Sequence, residues 1–338
     1  MTVPPLPREL QVEVTGSCNL SCRMCLVSYR DRLGRSASLS IERFTALLDD
    51  LPSLERITLQ GLGEPLLAPD LDAMIETAVG RGLEVGFNTN ATLLTAERSR
   101  RLIATGVSWV HVSVDGATAA TFSAIRHGAK LEVVLANLRG LVQARAEAGV
   151  AHPRIQVNTV LMRTNAAELV DLVHLAADIG VDRLWVQGLS HDFTDVEHEP
   201  GFVEIRRWTD EHRVRSGLDA PLAAARVAAG ERGLELRLPS FGPDDATDDV
   251  EPADDAMPVG EGEPACDWPW RSAYVAYDGT VQPCCMLMGR DRGRMGSLEQ
   301  QPLSEIWAGP EYQRLRQGLL SDEAPAPCQG CAAYRRRF

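Results

Sequence analysis

The chain has 338 residues and eight cysteines, and three of the eight crowd into one short stretch as Cys18, Cys22 and Cys25. No other cysteine follows until Cys266. Thiolates are soft ligands for zinc and for iron–sulfur clusters, and a closed structural site takes four of them. Three in one loop leave a coordination position open, where a small molecule can reach the metal. Two plainer readings compete. Positions i, i+4 and i+7 form one face of a core helix, in which cysteine packs as a small hydrophobe; alternatively the trio holds zinc. The other five cysteines (Cys266, Cys284, Cys285, Cys328, Cys331) gather near the C-terminus. A small, loop-rich segment with a modest apolar core needs a metal to hold it together.

The elements that must position these residues alternate strand with helix. Strands are predicted at 10–15, 56–60, 83–88, 108–114, 154–161 and 183–188. Helices are predicted near 40–50, 70–81, 95–104, 131–147 and 166–179, from apolar spacings of three and four. Ser40 precedes Ile41-Glu42-Arg43-Phe44 as a polar cap. Repeated strand–helix units imply a parallel sheet with helices outside, and six of them build either a doubly wound sheet or an incomplete barrel. Residues 202–230 read as helix and 234–238 as a short strand. Residues 273–284 read as a hairpin turning at Asp278-Gly279, a strong tight-turn pair. If 281–285 is extended, Cys284 and Cys285 point to opposite faces and cannot easily serve one cluster.

Composition narrows the class. Hydrophobic residues make up 44% and charged residues 24%, ordinary for a globular protein. The net charge of −13 is concentrated, because residues 241–263 hold nine acidic residues and no Lys or Arg, leaving −4 elsewhere. That block, with its Gly, Pro and Ala, reads as a solvated linker. No basic footprint for nucleic acid is present, since the tail Arg335-Arg336-Arg337 is too short to make one. No apolar run spans a bilayer and no signal-peptide pattern opens the chain. A cytoplasmic, membrane-free location is expected, where cysteines serve as metal ligands more often than as disulfides.

The loop Thr15-Gly16-Ser17-Cys18-Asn19-Leu20-Ser21-Cys22-Arg23-Met24-Cys25 resembles the cluster-binding loop of radical S-adenosylmethionine (radical SAM) enzymes, with its C-x3-C-x2-C pattern. The resemblance implies a [4Fe–4S] cluster on Cys18, Cys22 and Cys25, with S-adenosylmethionine chelating the fourth iron, and an α/β fold of the partial (β/α)6 barrel type. Gln60-Gly61-Leu62-Gly63-Glu64-Pro65 is similar to the family segment that meets the cofactor's ammonium, so Gly63 and Glu64 carry over. Met24 and Leu189 match positions near the adenine. Ser113 matches a cofactor contact, and Arg126 matches an arginine that pairs with the cofactor carboxylate. Asn88, at the end of the third strand, is similar to the family's polar strand end that faces the substrate cavity. On the fifth strand Gln156 and Asn158 share a face and point into the barrel.

The C-terminal segment resembles the single-cluster twitch form of the SPASM extension, a small cysteine-rich domain with a β-hairpin. The match rests on Cys266 before Trp268-Pro269-Trp270, the Asp278-Gly279 turn, Cys284, and Cys328-Gln329-Gly330-Cys331. It implies an auxiliary [4Fe–4S] cluster on Cys266, Cys284, Cys328 and Cys331, with zinc as the competing metal. Cys285 is then either a buried spare or a hydrogen-atom donor to a substrate radical, as in the family's epimerases. The domains are drawn as a barrel over 8–215, a helix, strand and acidic connection over 216–263, and the auxiliary domain over 264–334.

The activity implied is reductive cleavage of S-adenosylmethionine to a 5′-deoxyadenosyl radical that abstracts a substrate hydrogen. The electron comes from an external donor of flavodoxin or ferredoxin type. Polar Asn88, Gln156 and Asn158 suit a hydroxyl-rich sugar or aminocyclitol, with dehydrogenation or epimerisation as the reaction. Only seventeen residues precede Cys18, so no leader-binding domain is expected in front of the barrel. Maturation of a ribosomal peptide is the alternative, and a non-catalytic iron–sulfur or zinc protein is the second.

Overall fold

The computed structural model describes residues 4–28, 37–188, 218–239, 264–288, 293–321, 323–329 and 331. Leu189, the acidic block and both drawn domain boundaries lie outside them. Six strands run parallel in chain order: β1 (Glu9–Val12), β2 (Arg56–Leu59), β3 (Glu84–Thr89), β4 (Trp109–Ser113), β5 (Arg154–Leu161) and β6 (Arg183–Gly188). Helices separate them: α1 (Ile41–Asp50), α2 (Leu71–Gly80), α3 (Ala96–Ala104), α4 (Ala119–Ile125), α5 (Leu131–Ala148) and α6 (Leu169–Ile179). Ser40 does cap α1, its hydroxyl accepting from Arg43 N at 3.3 Å. Thr95 and Thr118 cap α3 and α4 in the same way, each cap contributing ~1 kcal/mol. The short α4, which sequence periodicity did not indicate, ends one residue before Arg126.

Side chains alternate across each strand, and the two faces differ in chemistry. Leu10, Val12, Ile57, Leu59, Val85, Phe87, Val110, Val112, Ile155, Val157, Leu184 and Val186 are buried in one core with helix residues such as Phe44, Met74 and Leu138. The opposite face is polar. Cross-strand pairing places Asn88, His111, Gln156, Arg183 and Glu235 in one row, and Ser113, Asn158, Trp185 and Arg237 in the next. Gln11, Glu13, Gln156 and Asn158 on this face are buried although polar.

The sheet continues past the sixth strand on both sides. Helix α7 (Asp219–Arg232) leads into β7 (Glu235–Arg237), which pairs parallel with β6. The stretch after residue 216 therefore contributes to the barrel sheet as well as connecting it onward. On the other edge, α8 (Trp268–Arg271) leads into β8 (Ser272–Val275), which pairs parallel with β1. β9 (Thr280–Gln282) and β10 (Gly296–Ser297) follow antiparallel, so that among the described residues the strand order is β10-β9-β8-β1-β2-β3-β4-β5-β6-β7. Gly279 sits at φ +83°, the left-handed turn position the Asp-Gly pair anticipated. Helices α9 (Leu303–Ala308) and α10 (Pro310–Leu319) close the module. Its interior holds a buried Arg316 stacked on Trp307 and Tyr312, donating to the carbonyls of Pro269 and Trp307.

Candidate cofactor and cluster sites

The cysteine loop leaves β1 and is pinned on three sides. Gly16 N donates to Ala37 O at 3.0 Å. Ser21 N and Arg23 N donate to the carbonyls of His127 and Ile125, tying the loop to the end of α4. Asn19 bridges to the β3 terminus, accepting from Asn90 Nδ2 at 2.9 Å and donating to Thr92 Oγ1 at 2.8 Å. The loop is not a continuous core helix: among the described residues only Leu26–Ser28 forms a 3-10 turn there.

Arg126 supplies the charge. Its Nε donates to Asp115 Oδ2 at 2.6 Å, and its Nη1 lies 3.8 Å from Cys22 Sγ. Burial alone would lower the guanidinium pKa, but Asp115 and the thiols of Cys22 and Cys25 outweigh it and the pKa rises. The cation is thus held beside the loop. Burial pushes the Cys18 and Cys22 thiols up, and Arg126 opposes that rise. Sequence matching gave Arg126 to the cofactor carboxylate, whereas the structure also makes it the partner of Asp115, a wholly buried carboxylate that sequence reasoning missed.

The loop after β2 packs directly on the cysteine loop. Glu64 N donates to Ser17 O at 2.8 Å. A Cβ at Gly63 would stand 2.1 Å from the Thr15 carbonyl oxygen, so only glycine permits this approach. Glu64 is buried and accepts from Thr89 Oγ1 (2.6 Å), Asn90 N (2.8 Å) and Leu66 N (3.2 Å). Burial raises its pKa, and the Asn90 and Thr89 donors counter this. Met24 is half-buried against the core. Ser113 stands at the end of β4 opposite Asn158.

Two adjacent rows of the polar face hold the three expected substrate residues. Asn88 and Gln156 flank His111 in register, and Gln156 Nε2 donates to Asn158 Oδ1 at 2.6 Å. The buried Asn88 Oδ1 has no hydrogen-bond partner, which is what a ligand-facing acceptor looks like. His111 was not anticipated, yet it lies two residues before Ser113 and so shares its face. Its ring sits 4.2 Å from that of Trp109. Burial, aided by Arg56, Arg183 and Arg154, drives its pKa down to about 3, so it stays a neutral imidazole.

In the C-terminal module the condition under which Cys284 and Cys285 would face apart, an extended 281–285, does not hold. Pro283 has no N–H to extend the ladder, β9 stops at Gln282, and Cys285 opens a 3-10 turn, Cys285–Leu287. The Cys284 thiol, raised first by burial, is raised further by the charges of Cys285, Cys266 and Cys331. Cys285, pushed up to about 12 by burial, also feels Cys331 and Cys266. Cys266, Cys328 and Cys331 pack together against Ala265, Leu315 and Leu319. All five thiols therefore share one neighbourhood.

Among the described residues no three His, Cys, Asp or Glu side chains converge where a single ion would sit. The fit to iron–sulfur clusters rests on the donor sets: three thiols beside a buried cation, and a second thiol group in an apolar cage.

Comparisons with known proteins agree with this geometry. The model of the radical SAM superfamily matches residues 12–183, and that of the SPASM iron–sulfur cluster-binding domain matches 266–332. A tungsten-containing aldehyde ferredoxin oxidoreductase cofactor-modifying protein of Pyrococcus furiosus is 26% identical over 91% of this chain and 83% of its own length. A PqqA peptide cyclase of Streptomyces rochei is 29% identical over 96% of this chain and 81% of its own. The crystal structure of Streptococcus suis SuiB bound to precursor peptide SuiA superposes with a TM-score of 0.68 at 15% identity, over 97% of this chain and 70% of that one, which speaks to fold alone. The chain belongs to the radical SAM superfamily, with S-adenosylmethionine, its [4Fe–4S] cluster and an auxiliary [4Fe–4S] cluster in a SPASM domain as its cofactors.

Proposed function

We propose that this radical SAM enzyme is a maturase that oxidatively modifies a peptide. The observation that carries the reading is likeness to a peptide cyclase along nearly the whole chain, both domains included. The hydroxyl-rich small molecule expected from polar strand residues has less behind it, because amide groups serve a peptide equally well. Asn88, His111, Gln156 and Asn158 offer neutral donors and acceptors on one face of the sheet, Gln156 and Asn158 buried, a set that suits peptide amides.

In this reading Cys18, Cys22 and Cys25 hold the cluster that receives S-adenosylmethionine, and an external flavodoxin- or ferredoxin-type donor supplies the electron. Bound there, the cofactor supplies a hydrogen-abstracting radical. Gly63, Glu64, Ser113 and Arg126 orient it, and the polar face of the sheet positions the reacting carbon. Cys266, Cys284, Cys328 and Cys331 hold the auxiliary cluster, a sink for the electron left on the substrate. Cys285 sits among these thiols as a fifth, which favours a spare ligand over a hydrogen donor. A second reading, action on a cofactor precursor, follows from the Pyrococcus furiosus relative.

The test is anaerobic reconstitution, reduction with dithionite, and mass spectrometry of peptides encoded beside the gene. Release of 5′-deoxyadenosine with loss of two mass units from a peptide supports the proposal. Cofactor cleavage with every peptide unchanged, but a small organic molecule oxidised, overturns it.

A further inference from the structure

Glu13 was not singled out by the sequence and has no part in the sites above. It follows β1 on the polar face of the sheet, is 5% exposed, and belongs to both modules at once. Its Oε1 accepts from Leu62 N at 2.8 Å, in the middle of the loop that carries Gly63 and Glu64. Its Oε2 accepts from Tyr277 N at 3.5 Å, in the auxiliary hairpin. The carboxyl lies so close over Gly61 that a Cβ there would stand 2.3 Å from Glu13 Cγ. The Tyr277 ring, in turn, lies on Gly16, where a Cβ would be 2.3 Å from the ring. One acid and one tyrosine thus join the hairpin to the loop before Cys18 and to the loop before Glu64.

We propose that Glu13 is a positioning residue: it latches the auxiliary hairpin to the Gly61–Glu64 loop, so that S-adenosylmethionine meets that loop in its binding shape only while the two modules are in register. The proposal rests on assigning that loop to the cofactor, and the experiment separates the two claims. Burial pushes the Glu13 carboxyl up to about 7, with the Leu62 and Tyr277 N–H groups opposing and Asp278 adding to the rise. The titratable groups facing it are Tyr274 of β8, a buried phenol beside it without a well-aligned partner, and Asp278 of the turn. From the β2 side it meets the backbone of Gly61 and Leu62. A carboxyl raised by burial favours its buried place as the neutral acid, so the closed latch is most stable below about 4.5 and loosens as pH rises through 7.

Hydrogen exchange on the reconstituted, cofactor-free enzyme tests the latch by itself. Losing hydrogen bonds to the buried carboxyl is expected to speed exchange about tenfold or more at both Leu62 and Tyr277 in Glu13→Ala. Gly61→Ala, which displaces the carboxyl, should do the same. Exchange that quickens at one segment only, or at neither, overturns the latch. If Glu13→Ala does not fold, Glu13→Gln carries the test: wild-type protection at Leu62 and Tyr277 should fall from about pH 5 to 7 relative to this variant, and parallel profiles overturn the proposal. Equilibrium dialysis with S-adenosylmethionine then tests the cofactor claim. A latch that loosens with no weakening of cofactor binding overturns that claim alone.

Discussion

Replacing Arg126 with methionine removes the cation from a buried pair while roughly keeping its volume. The Arg126 side chain is 11% exposed and Asp115 not at all. After the change Asp115 keeps only the Val160 N–H at 2.7 Å on its carboxylate. Stripping one partner from a buried pair costs roughly 3–5 kcal/mol, because the other charge is left uncompensated. For a chain of this length ~2 °C of melting temperature accompanies each kcal/mol, so a fall of roughly 6–10 °C is expected. Thermal melts of the anaerobically reconstituted enzyme measure it, with iron content as the second readout, since the arginine also faces Cys22. Adding Asp115→Asn should restore part of the loss, because the buried charge is gone while the acceptor for Val160 remains. The expected coupling between the two sites is about 2 kcal/mol. If the double variant loses as much as the two single losses added, the pair is not the anchor described.

Three further outcomes follow. Replacing Cys18, Cys22 and Cys25 together with alanine should remove about four of about eight irons and abolish 5′-deoxyadenosine release while leaving a brown protein; a colourless product would place both clusters' assembly on this loop. Glu13, raised from 4.5 to about 7, costs the folded state nothing below 4.5 and its full penalty above 7, about 3 kcal/mol; stability should fall as pH rises through that window, and Glu13→Gln should flatten the fall in parallel pH melts. Gly63→Ala, forcing a methyl onto the Thr15 carbonyl, should cost about 1–3 kcal/mol and weaken S-adenosylmethionine binding in equilibrium dialysis, with unaltered binding contradicting the close packing of the two loops.

What the sequence showed and what it hid divide along sequence separation. The Cys18, Cys22 and Cys25 spacing, the Ser40 cap and the Asp278-Gly279 turn are encoded within a few residues and were legible. Gln156 and Asn158 were placed on the inward face by alternation alone, and His111 was open to the same argument through Ser113. Glu13 was not. Between Val12 and Val14 it reads as the polar half of an alternating strand, and its partners Leu62 and Tyr277 lie 49 and 264 positions away. Asp115 hides likewise beside a glycine that suggests a turn. The strand through 281–285 stops early for a local reason, because Pro283 has no N–H to extend the ladder past Gln282.

The parallel pairing of β8 with β1 has a mechanical consequence. β1 is the barrel strand that leads into the cysteine loop, and without β8 its outer edge would present unpaired N–H and C=O groups. With β8 in place, β1 is bonded on both sides, to Arg56–Leu59 and to Ser272–Val275, and the bonding continues through Glu13 N to Val275 O at 2.8 Å. The strand that aims the first cluster loop is therefore the one that carries the auxiliary hairpin. Trp307 Nε1 adds a bond to Pro5 O, and Ser304 a pair of bonds to Asp50 on α1. A hinge between the modules would have to break sheet hydrogen bonds along β1 itself. One continuous sheet therefore joins the strand that leads into the first thiol loop to the hairpin that leads into Cys284 and Cys285.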